Sequence, residues 1–433
     1  MKHIVEIEKV ITGGKGLARL DTGKVIMTDF VLPGETVRLS EVKQYPGYIE
    51  GELVEVVTPS ATRVGPGCVY YEECGGCDLQ HADYPEQLKI KKAIVKEAME
   101  RAGISLPRDG LQDIIPSPAR WGYRYRLRLK IDRNGRLGFF KKRSNHFIAI
   151  DKCPVASGPL NAALAKLQTT GCLKELVGDC NEVELLQSPI DDKITLVLLP
   201  KTKQSIPTED LQTISARAYI DCIGCITGKN YYQLVPLQEP APLAQRISLP
   251  DLQQHCTLYW SGGCFSQVNG AQNEQLIHLA CNLAGELKGK TVLDLYCGMG
   301  NFSIPLALQG ATVTGIEQNP ESIRWARINA ESAGVMCSFF VSDVLDSLRE
   351  LTKNRQRVDT IILDPPRRGI GKAAGLLPRM RPQQIIYISC DPATLARDLA
   401  TLYDRGYSLS QLIPVDMFPQ THHIESVALL EKN

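Results

Sequence analysis

The alternation of apolar and polar positions changes rhythm along the chain. Through residues 1–58 it runs in short stretches such as Lys2–Val10 and Glu35–Lys43, broken by glycine turns at Gly13-Gly14, Gly23 and Gly34. Period-two alternation marks half-buried strands, and about five in so short a span predict a small β-barrel of the oligonucleotide-binding type. Pro59–Gly67 reads as a linker. Tyr84–Gly103 has a helical period, with Leu88, Ile94, Val95, Ala98 and Ala102 on one side and lysines on the other. Residues 113–258 mix strands and helices without a repeat. From residue 270 the two periods alternate. Helices are predicted at Ala271–Leu287, Phe302–Gln309, Pro320–Ala333 and Pro392–Arg405. Strands are predicted at Thr291–Tyr296, Thr312–Ile316, Val335–Val341, Asp359–Leu363 and Gln384–Ser389, with strand-like Tyr407–Val415 and Ser426–Leu430 closing the chain. Such alternation implies a parallel sheet covered on both faces.

A length of 433 residues suits about three domains. The pattern divides them at 1–59, 60–258 and 259–433. The expected fold is multidomain: an OB-like β-barrel, a central α+β domain and a C-terminal α/β Rossmann-like domain. A net charge of +1 hides a local asymmetry. Between Arg120 and Arg143 stand ten basic residues and one acid, Asp132. Arg124, Arg126, Arg128 and Lys130 recur at period two, and Asn134-Gly135 reads as a hairpin turn. Four like charges on one strand face repel each other. A polyanion, RNA or DNA, is the expected partner, with Tyr123, Tyr125, Phe139 and Phe140 as stacking surfaces.

Four short motifs carry candidate chemistry in the last third. Asp294-Leu295-Tyr296-Cys297-Gly298-Met299-Gly300-Asn301 follows an apolar strand and opens a helix, and Glu317 ends the next strand. Glycines there admit close backbone approach to a ligand, and an acid at the second strand end suits ribose hydroxyls. Ser303 stands where the dinucleotide fingerprint has its third glycine, which favours a mononucleoside such as S-adenosylmethionine over a pyrophosphate cofactor. Asp364-Pro365-Pro366-Arg367 is a stiff turn that places an acid at a strand's carboxyl end. Ser389-Cys390-Asp391-Pro392 puts Cys390 between a strand and a helix, where the helix N-terminus favours a thiolate and Asp391 opposes it. A packing cysteine and a nucleophile are equal readings of Cys390 alone. In His422-His423-Ile424-Glu425-Ser426-Val427, desolvation of Glu425 would raise its pKa and suit a base, although a solvated acid is the plainer reading. Neighbouring strand residues point oppositely, so His422 and His423 are not expected to share a metal.

Fourteen cysteines need a different account. The N-terminus, Met1-Lys2-His3-Ile4-Val5-Glu6, has no apolar signal core, so a reducing, cytoplasmic location is expected and disulfides are not. The longest apolar run, around Ile194–Pro200, is too short to span a bilayer, and no membrane partner is expected. Cys68-x5-Cys74-x2-Cys77, with glycines for tight turns, suggests zinc or an iron–sulfur cluster. Either needs a fourth ligand, and Cys153, before Pro154, is the best candidate. Cys222-x2-Cys225 has no second pair nearby and reads as packing.

Together these motifs resemble the RNA 5-methyluridine methyltransferases, specifically the bacterial 23S rRNA uracil-5-methyltransferases that carry an iron–sulfur cluster. The resemblance covers nearly the whole chain. The barrel, with Gly14-Lys15-Gly16-Leu17-Ala18, is similar to a TRAM domain, and Phe265-Ser266-Gln267-Val268-Asn269 is similar to the family's segment before the cofactor domain. The resemblance implies a 4Fe–4S cluster on Cys68, Cys74, Cys77 and Cys153, with Cys390 as nucleophile and Glu425 as base. It places Gln267, Tyr296, Asn301, Glu317, Asp343 and Asp364 at cofactor or uracil contacts. It also implies that Tyr84–Gln112 packs on the catalytic domain, that 23S rRNA is the partner, and that the chain acts as a monomer. RNA 5-methylcytosine enzymes typically carry a second cysteine where this chain has Asp364-Pro365-Pro366. Bacterial tRNA-specific relatives usually lack barrel and cluster.

Overall fold

The computed structural model describes residues 1–106, 111–176, 180–201, 208–228, 230–236, 242–249 and 252–433. The first unit is a six-stranded sheet of Lys2–Glu6, Lys9–Val10, Lys15–Arg19, Val25–Asp29, Thr36–Gln44 and Tyr48–Thr58. Val5, Ile7, Ala18, Ile26, Val37, Leu39 and Ile49 fill its interior. The strand beyond the five expected is Lys9–Val10, too short to show a period.

The central unit is a second, seven-stranded sheet, and it revises the reading of the basic strand. Arg126–Ile131 pairs antiparallel with Cys180–Gln187, which sets Lys130 opposite Glu182 and Arg128 opposite Glu184. Arg126 Nη2 donates to Glu184 Oε2 at 2.6 Å, Arg128 Nε donates to Glu182 Oε2 at 2.6 Å, and Lys130 also pairs with Glu182. Three of the four period-two cations, Arg126, Arg128 and Lys130, therefore pair with two acids that arrive from about fifty residues away along the chain, on the neighbouring strand. Two acids against four cations leave the strand with a net positive charge, and Arg128 stays exposed. Tyr123 is buried, its hydroxyl donating to Pro419 O at 3.0 Å, and offers no stacking surface.

The third unit holds a seven-stranded sheet in the order Cys337–Val341, Thr312–Glu317, Thr291–Leu295, Thr360–Leu363, Gln384–Ser389, Glu425–Lys432 and Tyr407–Val415. The first five run parallel, and Glu425–Lys432 lies antiparallel between its neighbours. The expected boundary at 258/259 cuts through a strand. The hairpin of Leu243–Leu249 and Gln254–Trp260 buries Ile247, Leu249, Cys256 and Leu258 in the same apolar cluster as helix Gly270–Ala284, so it belongs to this unit.

One early segment is also built into the third unit. Helix Tyr84–Arg101, capped by Asp83, packs Val95 and Met99 into the core beneath helix Pro392–Tyr403. Beyond residues 107–110, which lie outside the described part, the chain runs beside Tyr407–Val415. Gln112 N–H donates to Leu412 O and Ile115 N–H to Pro414 O, each at 2.9 Å. The lysine face of this helix is not wholly solvated, since Lys91 is completely buried. Its Nζ lies 2.5 Å from Asp416 Oδ1 and 3.0 Å from Phe418 O, and the Tyr84 hydroxyl donates to Asp416 Oδ2 at 2.9 Å. Burial pushes the Lys91 pKa down and Asp416 opposes that shift. Lys91→Ala would strand Asp416 without a counter-charge. It should destabilise the fold by about 3–5 kcal/mol, read as a large drop in the thermal unfolding temperature, whereas Lys89→Ala on the exposed face should leave that temperature almost unmoved.

Candidate functional site

The order of the sheet decides where a ligand can bind. After Thr291–Leu295 the chain builds outward to Cys337–Val341 on one side, then returns to add Thr360–Leu363 on the other. The crevice beyond the carboxyl ends at such a reversal is where open α/β sheets take ligands. The loops that begin at Tyr296, Asp364 and Cys390 all open there, and Glu317 ends its strand there. Glu425 comes to the same edge by a different route. Its strand is antiparallel to Gln384–Ser389, with Ser426 opposite Ser389, so its first residue stands beside the position that Cys390 occupies.

Charge at this edge is strongly perturbed. Glu425 is buried, and desolvation followed by the charge of Asp364 pushes its pKa well above the ordinary carboxylate range. Desolvation also pushes Asp364 up to about 7, against a hydrogen bond that Gln267 Nε2 donates to its Oδ2 at 3.1 Å. The Cys390 thiol is pushed up to about 12, first by burial and then by Glu425. Asp391 adds a smaller contribution in the same direction, as its place beside Cys390 led one to expect. Asp391 caps helix Pro392–Tyr403, accepting from Thr394 N–H at 2.8 Å, and so its own charge occupies the positive end of that helix. Arg367 is the residue that the sequence pattern undervalued. Its guanidinium opposes the upward shifts of both Cys390 and Glu425 and lies 3.3 Å from His423 Nε2. Its only advance signal was its place directly after the double proline.

The nucleotide side is built from the other candidate residues. Gly300, at φ 90°, lets the loop turn so that its N–H donates to Cys297 O at 2.9 Å. Asn301 exchanges two side-chain hydrogen bonds of 2.9 and 3.0 Å with Asn273, which fixes the loop to helix Gly270–Ala284. Glu317 accepts from Asn319 N–H at 2.8 Å, and burial raises its pKa. Asp343 caps helix Val344–Lys353, accepting from Leu345 N–H at 2.9 Å, and with Tyr296, Leu345 and Arg368 it lines a cavity of ≈ 300 Å³. Behind them, buried Asp294 accepts from Ser303 Oγ at 2.5 Å, and desolvation pushes its pKa to about 7. Ser303, noted only as a missing glycine, is thus the partner of a buried acid.

His422 and His423 lie in the loop before the closing strand, not on it, and their rings approach to 4.1 Å at an angle of 42°. They do not diverge as strand neighbours would. Among the described residues no group of three or more His, Cys, Asp or Glu side chains is arranged to hold a single metal ion. The four candidate cysteines are nonetheless near enough to perturb one another. Cys68 and Cys153 act on Cys74, and Cys74 and Cys153 act on Cys77. Burial pushes the Cys74 thiol to about 11 and that of Cys77 to about 12. Arg124 pulls both Cys77 and Cys153 down, and its buried Nε has no hydrogen-bond partner among the protein atoms. An unpaired buried guanidinium nitrogen beside two of these thiols, Cys77 and Cys153, fits an anionic thiolate-ligated group.

A family model described as tRNA (uracil-5-)-methyltransferase matches residues 83–433. The chain belongs to this family. The 23S rRNA (uracil(1939)-C(5))-methyltransferase of Shewanella frigidimarina is 34% identical, over 97% of this chain and 93% of that protein. Its counterpart from Shewanella sediminis is 34% identical over 99% and 96%. The crystal structure of Pyrococcus abyssi tRNA (uracil-54, C5)-methyltransferase in complex with S-adenosyl-L-homocysteine shares the fold, with a TM-score of 0.73 at 24% identity, covering 99% of this chain and all of that one. That likeness extends the shared fold along almost the full length of the chain.

In this uracil-5-methyltransferase the buried acid beneath the nucleotide loop should leave a pH signature. A carboxyl whose folded pKa is raised binds its proton more tightly when folded. Its contribution is intact below the unfolded value and is lost as pH rises through about 7. Asp294→Asn, a neutral mimic of the protonated acid, should therefore come closest to the wild type in thermal stability near the unfolded value of 3.8 and exceed it increasingly as pH rises past about 7. A stability difference that does not change with pH would show that the pKa of Asp294 is the same folded and unfolded.

Proposed function

We propose that the chain transfers a methyl group from S-adenosylmethionine to carbon 5 of a uridine in 23S rRNA, with Cys390 as nucleophile and Glu425 as base. The observation that carries this reading is the meeting of a half-buried thiol and a buried carboxyl at one sheet edge, brought there by strands of opposite direction. The two curated relatives, named for a 23S rRNA uracil, favour rRNA over tRNA as substrate.

Carbon 5 of uracil is too weak a nucleophile to attack a sulfonium methyl. Addition of the Cys390 sulfur to carbon 6 places enolate charge at carbon 5, which then takes the methyl. The attack needs the thiolate, so the Cys390 proton passes to solvent beforehand, and the Arg367 guanidinium, which opposes the upward shift of the thiol's pKa, favours that form. Glu425, whose raised pKa makes it a stronger base than an exposed carboxylate, removes the carbon-5 proton, and the thiolate leaves. The Gln267–Asp364 hydrogen-bonded pair faces the same crevice and supplies polar contacts to uracil or cofactor, while Tyr296, Asn301, Glu317 and Asp343 hold the nucleoside of the methyl donor. The uridine has to leave its stack to enter, as for other base-modifying enzymes.

Cys68, Cys74, Cys77 and Cys153 are the residues that would hold a 4Fe–4S cluster, with Arg124 as the neighbouring cation. Such a cluster would cross-link the loop before helix Tyr84–Arg101 to the turn at Cys153. Protein purified without oxygen should carry about four iron atoms and absorb broadly in the visible. Stoichiometric zinc with no iron would replace the cluster with a structural zinc site.

The catalytic roles separate in one experiment with methyl-labelled donor and a 23S rRNA fragment. Cys390→Ala should show no turnover and no covalent RNA adduct. Glu425→Gln should form the thioether, transfer the methyl and then stall, leaving a denaturation-resistant protein–RNA band that carries label. Full activity of Glu425→Gln, or an adduct in Cys390→Ala, would reverse the assignment. Preferential labelling of a tRNA transcript would move the substrate from rRNA to tRNA.

A further inference from the structure

The segment that delivers Glu425 has little structure of its own, and its partners come from the start of the chain. Between Asp416 and Glu425 there is no helix or strand. Tyr123 donates to Pro419 O, and Gln87 exchanges hydrogen bonds with Gln420 at 2.9 and 3.1 Å. The N–H groups of Asp78 and Leu79 both donate to Gln420 O, at 3.1 and 3.0 Å. Nearest to the base, the Asp78 carboxylate takes two contacts from one residue. His422 N–H donates to Oδ1 at 2.7 Å, and His422 Nδ1 lies 2.5 Å from Oδ2. Asp78 directly follows Cys77. It also abuts the barrel, where a Cβ at Gly14 would fall 2.7 Å from the carboxyl carbon of Asp78. Three parts of the molecule thus converge on this one buried carboxylate: the barrel turn, the cysteine loop and the loop ending at Glu425.

We propose that Asp78 is a positioning residue for the catalytic base, clamping His422 so that the loop from Asp416 sets the Glu425 carboxyl at carbon 5 of the bound uracil. The inference rests on the reading of Cys390 and Glu425 given above. The clamp is bidentate and charge-assisted, and it grips the loop three residues before the base, so its loss shifts Glu425 more than it shifts Cys390, which hangs on the rigid end of Gln384–Ser389. Methyl transfer depends on Cys390 and the bound donor; proton removal depends on Glu425. A loosened clamp therefore slows the second step selectively.

The full-length protein is assayed as wild type, Asp78→Ala, His422→Ala and His422→Asn, the last keeping a side-chain donor close to the position of Nδ1. Hydrogen–deuterium exchange comes first because it needs no activity. Asp78→Ala and His422→Ala should raise exchange in peptides spanning 417–425 and leave those spanning Thr291–Leu295 unchanged, and His422→Asn should restore protection. In turnover, kcat should fall roughly 10- to 100-fold in Asp78→Ala with KM for RNA unchanged. The methylated covalent adduct should accumulate there as it does in Glu425→Gln. Unchanged exchange at 417–425, or a His422→Ala protein that behaves as wild type, overturns the clamp. Equal slowing of adduct formation and resolution overturns its action through the base. If Glu425→Gln makes no methylated adduct, the proposed reaction fails, and the exchange arm alone still decides for or against the clamp.

Discussion

The buried Lys91–Asp416 pair is the constraint on which the rest of the catalytic edge depends. Removing both charges from water costs several kcal/mol per ion, and attraction offsets that only if every remaining donor and acceptor is satisfied. Here Tyr84 and Phe418 O supply those partners. The arrangement closes only when helix Tyr84–Arg101 lies against Pro392–Tyr403 and the chain leaves Val415 in one direction. The pair is thus better understood as a register pin than as a source of stability. It fixes where the loop toward Glu425 begins, and contacts from residues 78–123 then fix its course.

The second organising feature is an excess of acid at the ligand edge. Asp294, Glu317, Asp364 and Glu425 are all shifted upward, with burial the first cause in each case. Arg367 is the cation set against the carboxyl and thiol at the reacting end. An edge that holds poorly solvated carboxylates is destabilised while empty and gains most from a cationic ligand. A sulfonium methyl donor meets that requirement, and an uncharged nucleoside does not. Burial, and after it the charge of Asp364, raise the basicity of Glu425, so under the proposed reaction one arrangement would serve both donor binding and proton removal.

Much of this was legible along the chain. The βα rhythm after residue 270 located all seven strands of the catalytic sheet to within a few residues, because a parallel sheet covered on both faces leaves continuous apolar runs. Each loop motif fell at a strand end because chemistry in such sheets gathers there. What stayed hidden has a common cause. Glu182 and Glu184 pair with the basic strand across a sheet register that no local pattern encodes. Lys91 sits on a helix whose lysines look solvent-facing until Asp416 is placed beside it, 325 residues later. The opposition of Asp391 to a Cys390 thiolate was visible, but the larger causes were not, since the thiol's pKa depends on burial and on Glu425 arriving from the other direction.

Partial neutralisation of the basic strand bears on how RNA is engaged. The net charge is only +1, and part of the densest cationic segment is paired to acids, which weakens the field that would draw a polyanion from a distance. Long-range steering needs unpaired charge of one sign over a wide surface. Recognition then rests more on short-range contacts that form only when a folded RNA presents the correct surface to several units at once. The barrel is set for this, since Lys142 and Arg143 of the central unit pair with Asp29, and Arg143 also with Glu50, which holds barrel and central sheet together. Those two cations are consumed in making the platform. An enzyme that must choose one uridine among thousands gains from this economy of free charge, because weak non-specific attraction leaves shape and base flipping to decide where it stops.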